Sequence, residues 1–361
     1  MQFVAGLVIC RLSESGIIWG NMKHRIHTSI LALLAASTLM VPAQSTTNAV
    51  QAPKKPHPWV DGPVERGRYS SAVSELWRQG DFASLERMGN ELRTKKLKSS
   101  DGMWKLSEFY QGMGIIGSGD AGFKAAEQQV KVWLTKYPES VTAPIAQARI
   151  LFNHAWFFRG SYYANTITDN GQAKFTKYLA EANDVLEKSK ARCSICPEWY
   201  LTMLGVGQGQ GWDKAKFDQI FEEGVKLAPD FYELYFARAT SLLPRWYGKE
   251  GDWQAFAEAQ AKAYGAEIYP RIVWSLEKNY PDTLFTDGAV SWPQMKAGFK
   301  KMLTDYPDSN WNLNSFCKHA CLAGDRATAK QLFERIGPRR HSVLWTQTDF
   351  NKWKTWTTKS E

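Results

Sequence analysis

The feature that most constrains this fold is a set of prolines that separate successive apolar helical stretches. They are Pro138, Pro197, Pro229, Pro270 and Pro307. Proline is tolerated in the first turn of a helix, because the N–H that it lacks would have no partner there. The last four are 32, 41 and 37 residues apart. These intervals bracket the period of about 34 residues that is typical of tetratricopeptide repeats, in which each unit is a helical hairpin.

Between these prolines the apolar residues recur with the period of an α-helix. One stripe consists of Phe123, Ala126, Val130, Trp133 and Tyr137, at i, i+3, i+7, i+10 and i+14. No strand-like alternation of β-branched residues separates the turn signals. The pattern predicts an all-α chain of tetratricopeptide-like helical hairpin repeats, an α-solenoid, with a closed helical bundle as the alternative. A hydrophobic share of 44% with 22% charged residues is enough to fill its core.

The first part of the chain has the order of segments found in a secretory signal peptide. Lys23 and Arg25 form a positive region, residues 30–41 are apolar and uncharged, and Ala43 ends a small-residue cleavage site. The apolar run is shorter than the roughly 20 residues that span a bilayer. We therefore expect cleavage after Ala43, which leaves no integral membrane segment.

This signal divides the 361-residue chain into three parts. Residues 1–43 are expected to be an upstream segment plus the signal peptide. Residues 44–63, rich in Pro, Thr and Lys, are expected to be a flexible linker, and residues 64–356 the helical repeat domain. Cleavage removes three basic residues and one acidic residue, which lowers the net charge from +9 to +7. Because the basic residues are dispersed along the helices, we expect no nucleic-acid partner.

Four short segments resemble the bacterial domain of unknown function 4034 family. They are residues 101–106, 155–160, 243–248 and 312–321, and the resemblance extends over most of residues 70–350. It implies a helical, repeat-like fold and a bacterial origin, so an exported chain would be periplasmic or secreted. The resemblance implies no activity and no catalytic residue.

Four cysteines remain after signal cleavage, in two closely spaced pairs. Cys193 and Cys196 flank a turn, and Cys317 and Cys321 are one helical turn apart. An exported protein meets an oxidising compartment, so disulfides are favoured, with free buried thiols and a zinc site as alternatives. The spacings differ from those of standard zinc ribbons, and we expect no metal.

No complete catalytic motif is present. The glycines of residues 112–117 match the letters of a dinucleotide-binding motif, but helical spacing precedes them and no βαβ unit surrounds them. The acidic residues fall on polar helix faces or at helix caps, so exposure to solvent explains their presence without a catalytic role. The sequence therefore favours a non-enzymatic protein without a cofactor.

The best candidate contact surface is the loop that contains Arg245, Trp246 and Tyr247. It is longer than a tight repeat turn and combines a planar cation with two aromatic rings. Trp156 and Arg159 are added as further binding candidates, although helix tryptophans commonly fill cores. The structural alternative is that Arg245 stacks on Trp246 and caps helix-end carbonyls.

Three functional hypotheses follow from these features, of which the third is a purely structural component of the cell envelope. The first is a scaffold that binds a protein or peptide partner along a concave helical surface. The second is a periplasmic glycan-binding protein or hydrolytic enzyme with a cleft near Arg245 and Trp246. The sequence leaves the oligomeric state open.

We predict that the chain is exported and cleaved after Ala43, since the charged, apolar and small-residue segments occur in the required order. N-terminal sequencing of the protein from a periplasmic fraction should begin at Gln44. Recovery of an intact Met22 end, or of the chain in the cytoplasm, would contradict the prediction.

Overall fold

The structure is a computed structural model that describes residues 61–160, 168–280 and 283–359. The predicted signal peptide and most of the predicted linker lie outside these residues. Within them the chain forms α-helices and no β-strand, so the all-α prediction is confirmed.

The helices are α1 (Gly62–Gln79), α2 (Phe82–Lys95), α3 (Lys105–Gly112), α4 (Gly119–Lys136), α5 (Thr142–Arg159), α6 (Asp169–Cys193), α7 (Pro197–Gln210), α8 (Lys214–Leu227), α9 (Glu233–Ser241), α10 (Asp252–Tyr264), α11 (Ile268–Leu276), α12 (Trp292–Asp305), α13 (Asn310–Leu322), α14 (Arg326–Ile336) and α15 (Gln347–Trp356).

The helices from α4 to α13 form two rows. Each even-numbered helix packs against the next odd-numbered one, and α5, α7, α9 and α11 pack in series. We call α5, α7, α9, α11 and α13 the inner row and their partners the outer row. Eleven of the 14 residues of α7 are buried, but only two of the 13 residues of α10. The inner row is therefore covered on nearly all faces, as expected for stacked helical hairpins.

Every proline of the predicted series marks the start of an inner helix. Pro197 is the first residue of α7, and Pro270 lies in the first turn of α11. Pro138, Pro229 and Pro307 lie in the turns before α5, α9 and α13. Because no helical N–H is lost at these positions, the prolines define where the inner helices begin without weakening them.

Residues 98–104, which we call the closing segment, connect α2 and α3 to the far end of the inner row. The Lys98 ammonium lies 2.6 Å from a carboxylate oxygen of Asp230, just before α9. Trp104 packs edge-on against Phe231, with ring centroids 5.5 Å apart. The backbone carbonyl of Asp101 accepts hydrogen bonds from side chains of α11 and α13. These donors are Arg271 Nη2 at 2.8 Å and Asn312 Nδ2 at 3.4 Å.

The side chain of Asp101 ties this segment to α1. Its carboxylate forms an ion pair with Arg66, and both side chains are at most 3% exposed. The Ser99 hydroxyl donates a second hydrogen bond at 2.7 Å. Burial alone would raise the pKa of Asp101, but the guanidinium of Arg66 and the Ser99 hydroxyl lower it below its usual value. A second link between the ends of the array joins Asp61 to His341 at 2.6 Å.

Gly102 makes the close approach of the closing segment possible. Its φ is +89°, in the left-handed region. A Cβ atom there would lie 2.5 Å from the ring of Tyr306 and 2.7 Å from the guanidinium of Arg271. Only glycine satisfies both the backbone conformation and the available space.

None of the described helices is long and apolar enough to cross a membrane.

We predict that Gly102→Ala lowers the free energy of unfolding by about 3 kcal/mol or more, since left-handed strain and overpacking add. Gly119→Ala is the matched control. Gly119 has a φ of +60° but open space around it, so only the strain of about 1 kcal/mol applies. Urea denaturation of both variants checks this, and equal destabilisation would show that the clash is relieved without cost.

Candidate functional site

The structure brings together four of the five residues chosen from the sequence as binding candidates. Trp156 and Trp246 meet edge-to-face, with centroids 6.1 Å apart and planes at 76°. The Arg159 guanidinium lies 5.5 Å from the Trp156 ring, and Tyr247 contacts Trp246 at 6.2 Å. We call this group, with its ring neighbours, the aromatic surface. Its members are Phe152, Trp156, Arg159, Phe175, Trp246 and Tyr247.

The end of α5 supplies one side of the aromatic surface. Phe152, Trp156 and Arg159 are spaced i, i+4 and i+7, so they share one helix face. Gly160 ends the helix with a φ of +68°. Burial lowers the pKa of Arg159 below its usual value. The guanidinium still remains protonated at any physiological pH, so the surface carries a cation beside its rings.

The loop between α9 and α10 supplies the other side and has a defined conformation. The backbone N–H of Trp246 donates to the Leu243 carbonyl at 2.8 Å, and the Tyr247 hydroxyl donates to the Gln208 carbonyl at 2.5 Å. At Gly248 a Cβ atom would lie 1.9 Å from the Leu242 carbonyl oxygen. These contacts hold the loop against α7 and present its aromatic residues in fixed positions.

The aromatic surface is partly open to solvent. Trp156 is 6% exposed and Trp246 is half-buried, whereas Tyr247 is 51% exposed. Arg245, the fifth candidate, lies beside them in the chain with an exposed side chain. The mixture of a buried anchor and exposed rings is typical of interfaces, in which aromatic residues and arginine are enriched.

A small cleft adjoins the loop beneath Tyr247. Its volume is about 70 Å³, which is well below the roughly 300 Å³ at which pockets for drug-sized ligands begin. The buried Arg238 in its wall is held by Asp218 at 2.5 Å and by the Ser241 hydroxyl at 2.9 Å. The cleft therefore admits a small group rather than a sugar ring. Its lining residues are Trp212, Lys214, Phe217, Arg238, Ser241, Leu242, Tyr247 and Asp252.

A group of buried charges, which we call the charge network, was not predicted from the sequence. It lies where the first turns of α7 and α9 meet α1, α3 and α5. Arg149 forms an ion pair with Glu198, which is fully buried. Burial lowers the pKa of Arg149 to about 10, although nearby Glu108 and Glu233 act in the opposite direction. The interpretation of every acidic residue as a solvated face or cap is therefore wrong for Glu198.

Glu233 is the member of the charge network with the most altered acidity. Burial, together with the neighbouring carboxylate of Glu108, raises the pKa of Glu233 to about 7, although Arg66 opposes the shift. The Ser107 hydroxyl donates its proton to Glu198 at 3.1 Å. A hydrogen bond from Ser107 lowers the pKa of Glu233, but the effect of burial outweighs it. The carboxyl of Glu233 is therefore a buried acid that titrates near neutrality.

His154 lies on the face of α5 opposite Trp156, and it was likewise not predicted from the sequence as a functional residue. It is fully buried, with Nδ1 2.6 Å from Glu127 and Nε2 2.8 Å from Asp120, both on α4. Its ring stacks between Phe123 at 4.6 Å and Tyr178 at 3.9 Å. His154 therefore links α4, α5 and α6 beside the aromatic surface.

The four cysteines of the described residues are free, buried thiols, whereas the sequence favoured disulfides. Cys196 lies 3.8 Å from the Tyr110 hydroxyl, and burial raises its pKa to about 11. Burial also raises the pKa values of Cys193 and Cys317. Thiols held in this form are poor nucleophiles and poor metal ligands. Within the described residues, no group of three or more His, Cys, Asp or Glu side chains is placed to hold a metal ion, and this includes Cys321 and its neighbours.

No protein family model, no curated protein and no solved structure matches the chain. The resemblance to the domain of unknown function 4034 family stays a prediction. The candidate site is supported by its geometry and by the chemistry of its side chains.

We predict that Glu233→Gln changes how stability depends on pH. The neutral carboxyl favours folding at low pH, and this contribution is lost as pH rises from the unfolded value near 4.5 to the folded value near 7. The wild type should therefore lose about 3 kcal/mol relative to Glu233→Gln between pH 4 and pH 8. Chemical denaturation at a series of pH values measures the difference.

Glu75→Gln serves as the control for this prediction, because Glu75 is 52% exposed on α1. Because exposed ion pairs contribute little, its stability difference from the wild type should change by less than about 1 kcal/mol across the same range. Parallel pH curves for Glu233→Gln and the wild type would show that Glu233 titrates as an ordinary glutamate.

Proposed function

We propose that the chain is an exported bacterial helical-repeat protein that binds a protein or peptide partner through the aromatic surface. The observation that carries the proposal is the convergence of Trp156, Arg159, Trp246 and Tyr247 from two distant segments onto one partly exposed face. Tryptophan, tyrosine and arginine are the residue types that contribute most to binding energy at protein interfaces.

The position of the aromatic surface supports this role better than the inner row does. The closing segment lies across the inner row, from Asp230 before α9 to Asn312 in α13. A partner that followed the inner helices would have to displace these contacts, including the buried pair of Arg66 and Asp101. The aromatic surface keeps an exposed ring at Tyr247, which is 51% exposed. We therefore move the proposed contact from a concave helical surface to the end of α5.

Rigid support is the second reason. The loop that bears Trp246 and Tyr247 is held in place by contacts to Gln208, Leu242 and Leu243. Side chains that are already held in place lose little conformational entropy when a partner binds. Loops on rigid scaffolds commonly carry binding residues for this reason.

A glycan-binding protein or hydrolytic enzyme with a cleft near Arg245 and Trp246 has less support. The cleft beneath Tyr247 is too small for a sugar ring. The carboxyl with the altered pKa, Glu233, belongs to the charge network rather than to this loop. Export itself is supported by the sequence of residues 22–43 alone.

We predict that Arg245→Ala leaves the free energy of unfolding within about 0.5 kcal/mol of the wild type, because its side chain is exposed. The same variant should weaken binding at least about tenfold, since arginine is a common hot-spot residue. The binding assay uses peptides selected from a random displayed library on the wild-type protein. Lys262→Ala, which removes an exposed cation from α10, is the control and should bind as the wild type does.

Two results would count against the proposed function. A library that yields no peptide with measurable affinity would remove the peptide-binding role. Selected peptides that bind Arg245→Ala and Lys262→Ala equally well would place the contact elsewhere on the molecule.

A further inference from the structure

The excess positive charge of the chain is concentrated at the end of the helical array. Residues 61–325 contain 32 basic and 32 acidic side chains, so their net charge is zero. Residues 326–361 contain eight basic and three acidic side chains, which gives a net charge of +5. Basic residues are dispersed along the chain, but their excess over acidic residues belongs to α14, α15 and the loop between them. We call residues 326–359 the basic hairpin.

The two helices of the basic hairpin lie side by side and run in opposite directions. Phe333 of α14 packs edge-on against Phe350 of α15, with ring centroids 5.1 Å apart. At the other end, the Arg326 guanidinium lies 5.2 Å from the ring of Trp356. A helix of 11 residues, the length of α14, is only about 16 Å long. Screening at physiological salt acts over about 8 Å, so cations this close together add to one local field.

Most cations of the basic hairpin are not neutralised by carboxylates. Elsewhere in the structure, exposed lysines pair with an acid one helical turn away, as Lys95 does with Glu91 and Lys188 with Asp184, both at 2.7 Å. Among the described residues, no carboxylate lies within 4 Å of the charged groups of Lys330, Arg335, Arg340, Lys352, Lys354 and Lys359. These cations therefore keep their full field toward solvent.

The remaining polar contacts of the hairpin leave this field in place. Arg335 donates a hydrogen bond to the Pro307 carbonyl at 3.3 Å, and such a neutral acceptor does not cancel the charge. The two described carboxylates of the hairpin are Glu334, which is exposed, and Asp349. Asp349 accepts a hydrogen bond from the Thr346 hydroxyl at 2.6 Å, within the cap of α15.

An apolar side chain projects from the loop between α14 and α15. Val343 is 75% exposed, the highest value for a large apolar side chain in the described part of the chain. Its backbone N–H donates to Nδ1 of the buried His341 at 3.3 Å, and Arg340 Nε donates to Gln347 at 3.1 Å. Lys354 lies seven residues after Gln347, on the same face of α15. The loop is therefore held in place, with its apolar tip beside cations of the hairpin.

A bilayer that contains anionic phospholipids matches both properties of this surface. Anionic headgroups attract lysine and arginine side chains near the membrane surface. An exposed apolar side chain gains free energy when it enters the boundary between headgroups and acyl chains. Trp353 and Trp356 of α15 are both partly exposed, and tryptophan is enriched at membrane interfaces. A nucleic acid would supply the negative charge but no apolar layer for Val343.

We infer that the basic hairpin docks on the surface of a bilayer that contains anionic phospholipids. Val343 enters the boundary between headgroups and acyl chains, while Lys354 and the neighbouring cations bind the headgroups. The inference goes beyond the proposed peptide binding, because it involves none of the residues of the aromatic surface.

The test is co-sedimentation of the mature protein with two kinds of vesicle. One kind consists of phosphatidylcholine alone, and the other of equal parts of phosphatidylcholine and phosphatidylglycerol. At low ionic strength the anionic vesicles should bind at least about tenfold more tightly, and high ionic strength should reduce the difference. Free glycerol phosphate should not displace the protein, because it has the charge of one headgroup and no apolar layer.

Variants of the exposed lysines test the contribution of the hairpin. The double variant Lys352→Gln/Lys354→Gln should weaken binding to the anionic vesicles by about tenfold or more, since each lysine near the surface contributes. The matched control Lys226→Gln/Lys262→Gln removes two exposed cations from α8 and α10 and should bind as the wild type does. All four side chains are exposed, and thermal unfolding should show the same midpoint for both double variants and the wild type.

A third variant separates a bilayer from other polyanions. Val343→Ser keeps every charge and should weaken binding to the anionic vesicles by about threefold or more, because the apolar contribution is lost. Binding to heparin, which has charge but no apolar layer, should not change.

Three results would overturn the inference. They are equal binding to the two kinds of vesicle, equal losses in the hairpin and control double variants, and tighter binding to duplex DNA than to the anionic vesicles. The third result, together with no effect of Val343→Ser, would assign the basic hairpin to a nucleic acid instead. Peptide capture by the aromatic surface is measured separately, so the proposed function does not depend on these outcomes.

Discussion

The buried ion pair between Arg66 and Asp101 is the interaction on which the architecture depends. It joins α1 to the closing segment, and the carbonyl of the same aspartate accepts hydrogen bonds from Arg271 and Asn312. One residue therefore connects the first helix with the fourth and fifth helices of the inner row. Breaking a buried pair by removing one partner is far more costly than never forming it, because a charge is left without compensation. The ends of the array are thus joined by a contact whose loss would leave a buried charge without a partner.

The charge network around this pair is arranged so that its charges nearly balance. Three guanidinium groups face four carboxyl groups: Arg66, Arg149 and Arg271 against Asp101, Glu108, Glu198 and Glu233. If one carboxyl keeps its proton near neutral pH, positive and negative charges are equal. Glu233 meets that condition because burial raises its pKa. Glu198 pairs with Arg149 and lies in the first turn of α7, where the helix dipole favours a negative charge.

The sequence predicts the helices well but not which of their faces are buried. Pro197 and Pro270 mark the starts of α7 and α11, because the rule for proline in a first helical turn is local. Glu198 follows one of these prolines and has the sequence context of an ordinary helix cap. Its burial depends on Arg149 and Ser107, which come from helices distant in the chain. Periodicity describes helices with one solvated face, and it fails for inner-row helices that are covered all round.

The candidate site was predictable to a similar extent. Trp246 and Arg245 are recognisable because they interrupt a helical pattern with a long loop, whereas their contact with Trp156 required the fold. The same fold explains why α5 can carry this site. His154 and Trp156 are two residues apart and so project to different faces of the helix. His154 is held by two carboxylates of α4 and stacks on Tyr178 of α6, which fixes the rotation of α5 about its axis. Because that rotation also sets the direction of Trp156, the contacts of His154 support the packing of the Trp156 ring against Trp246 of the loop.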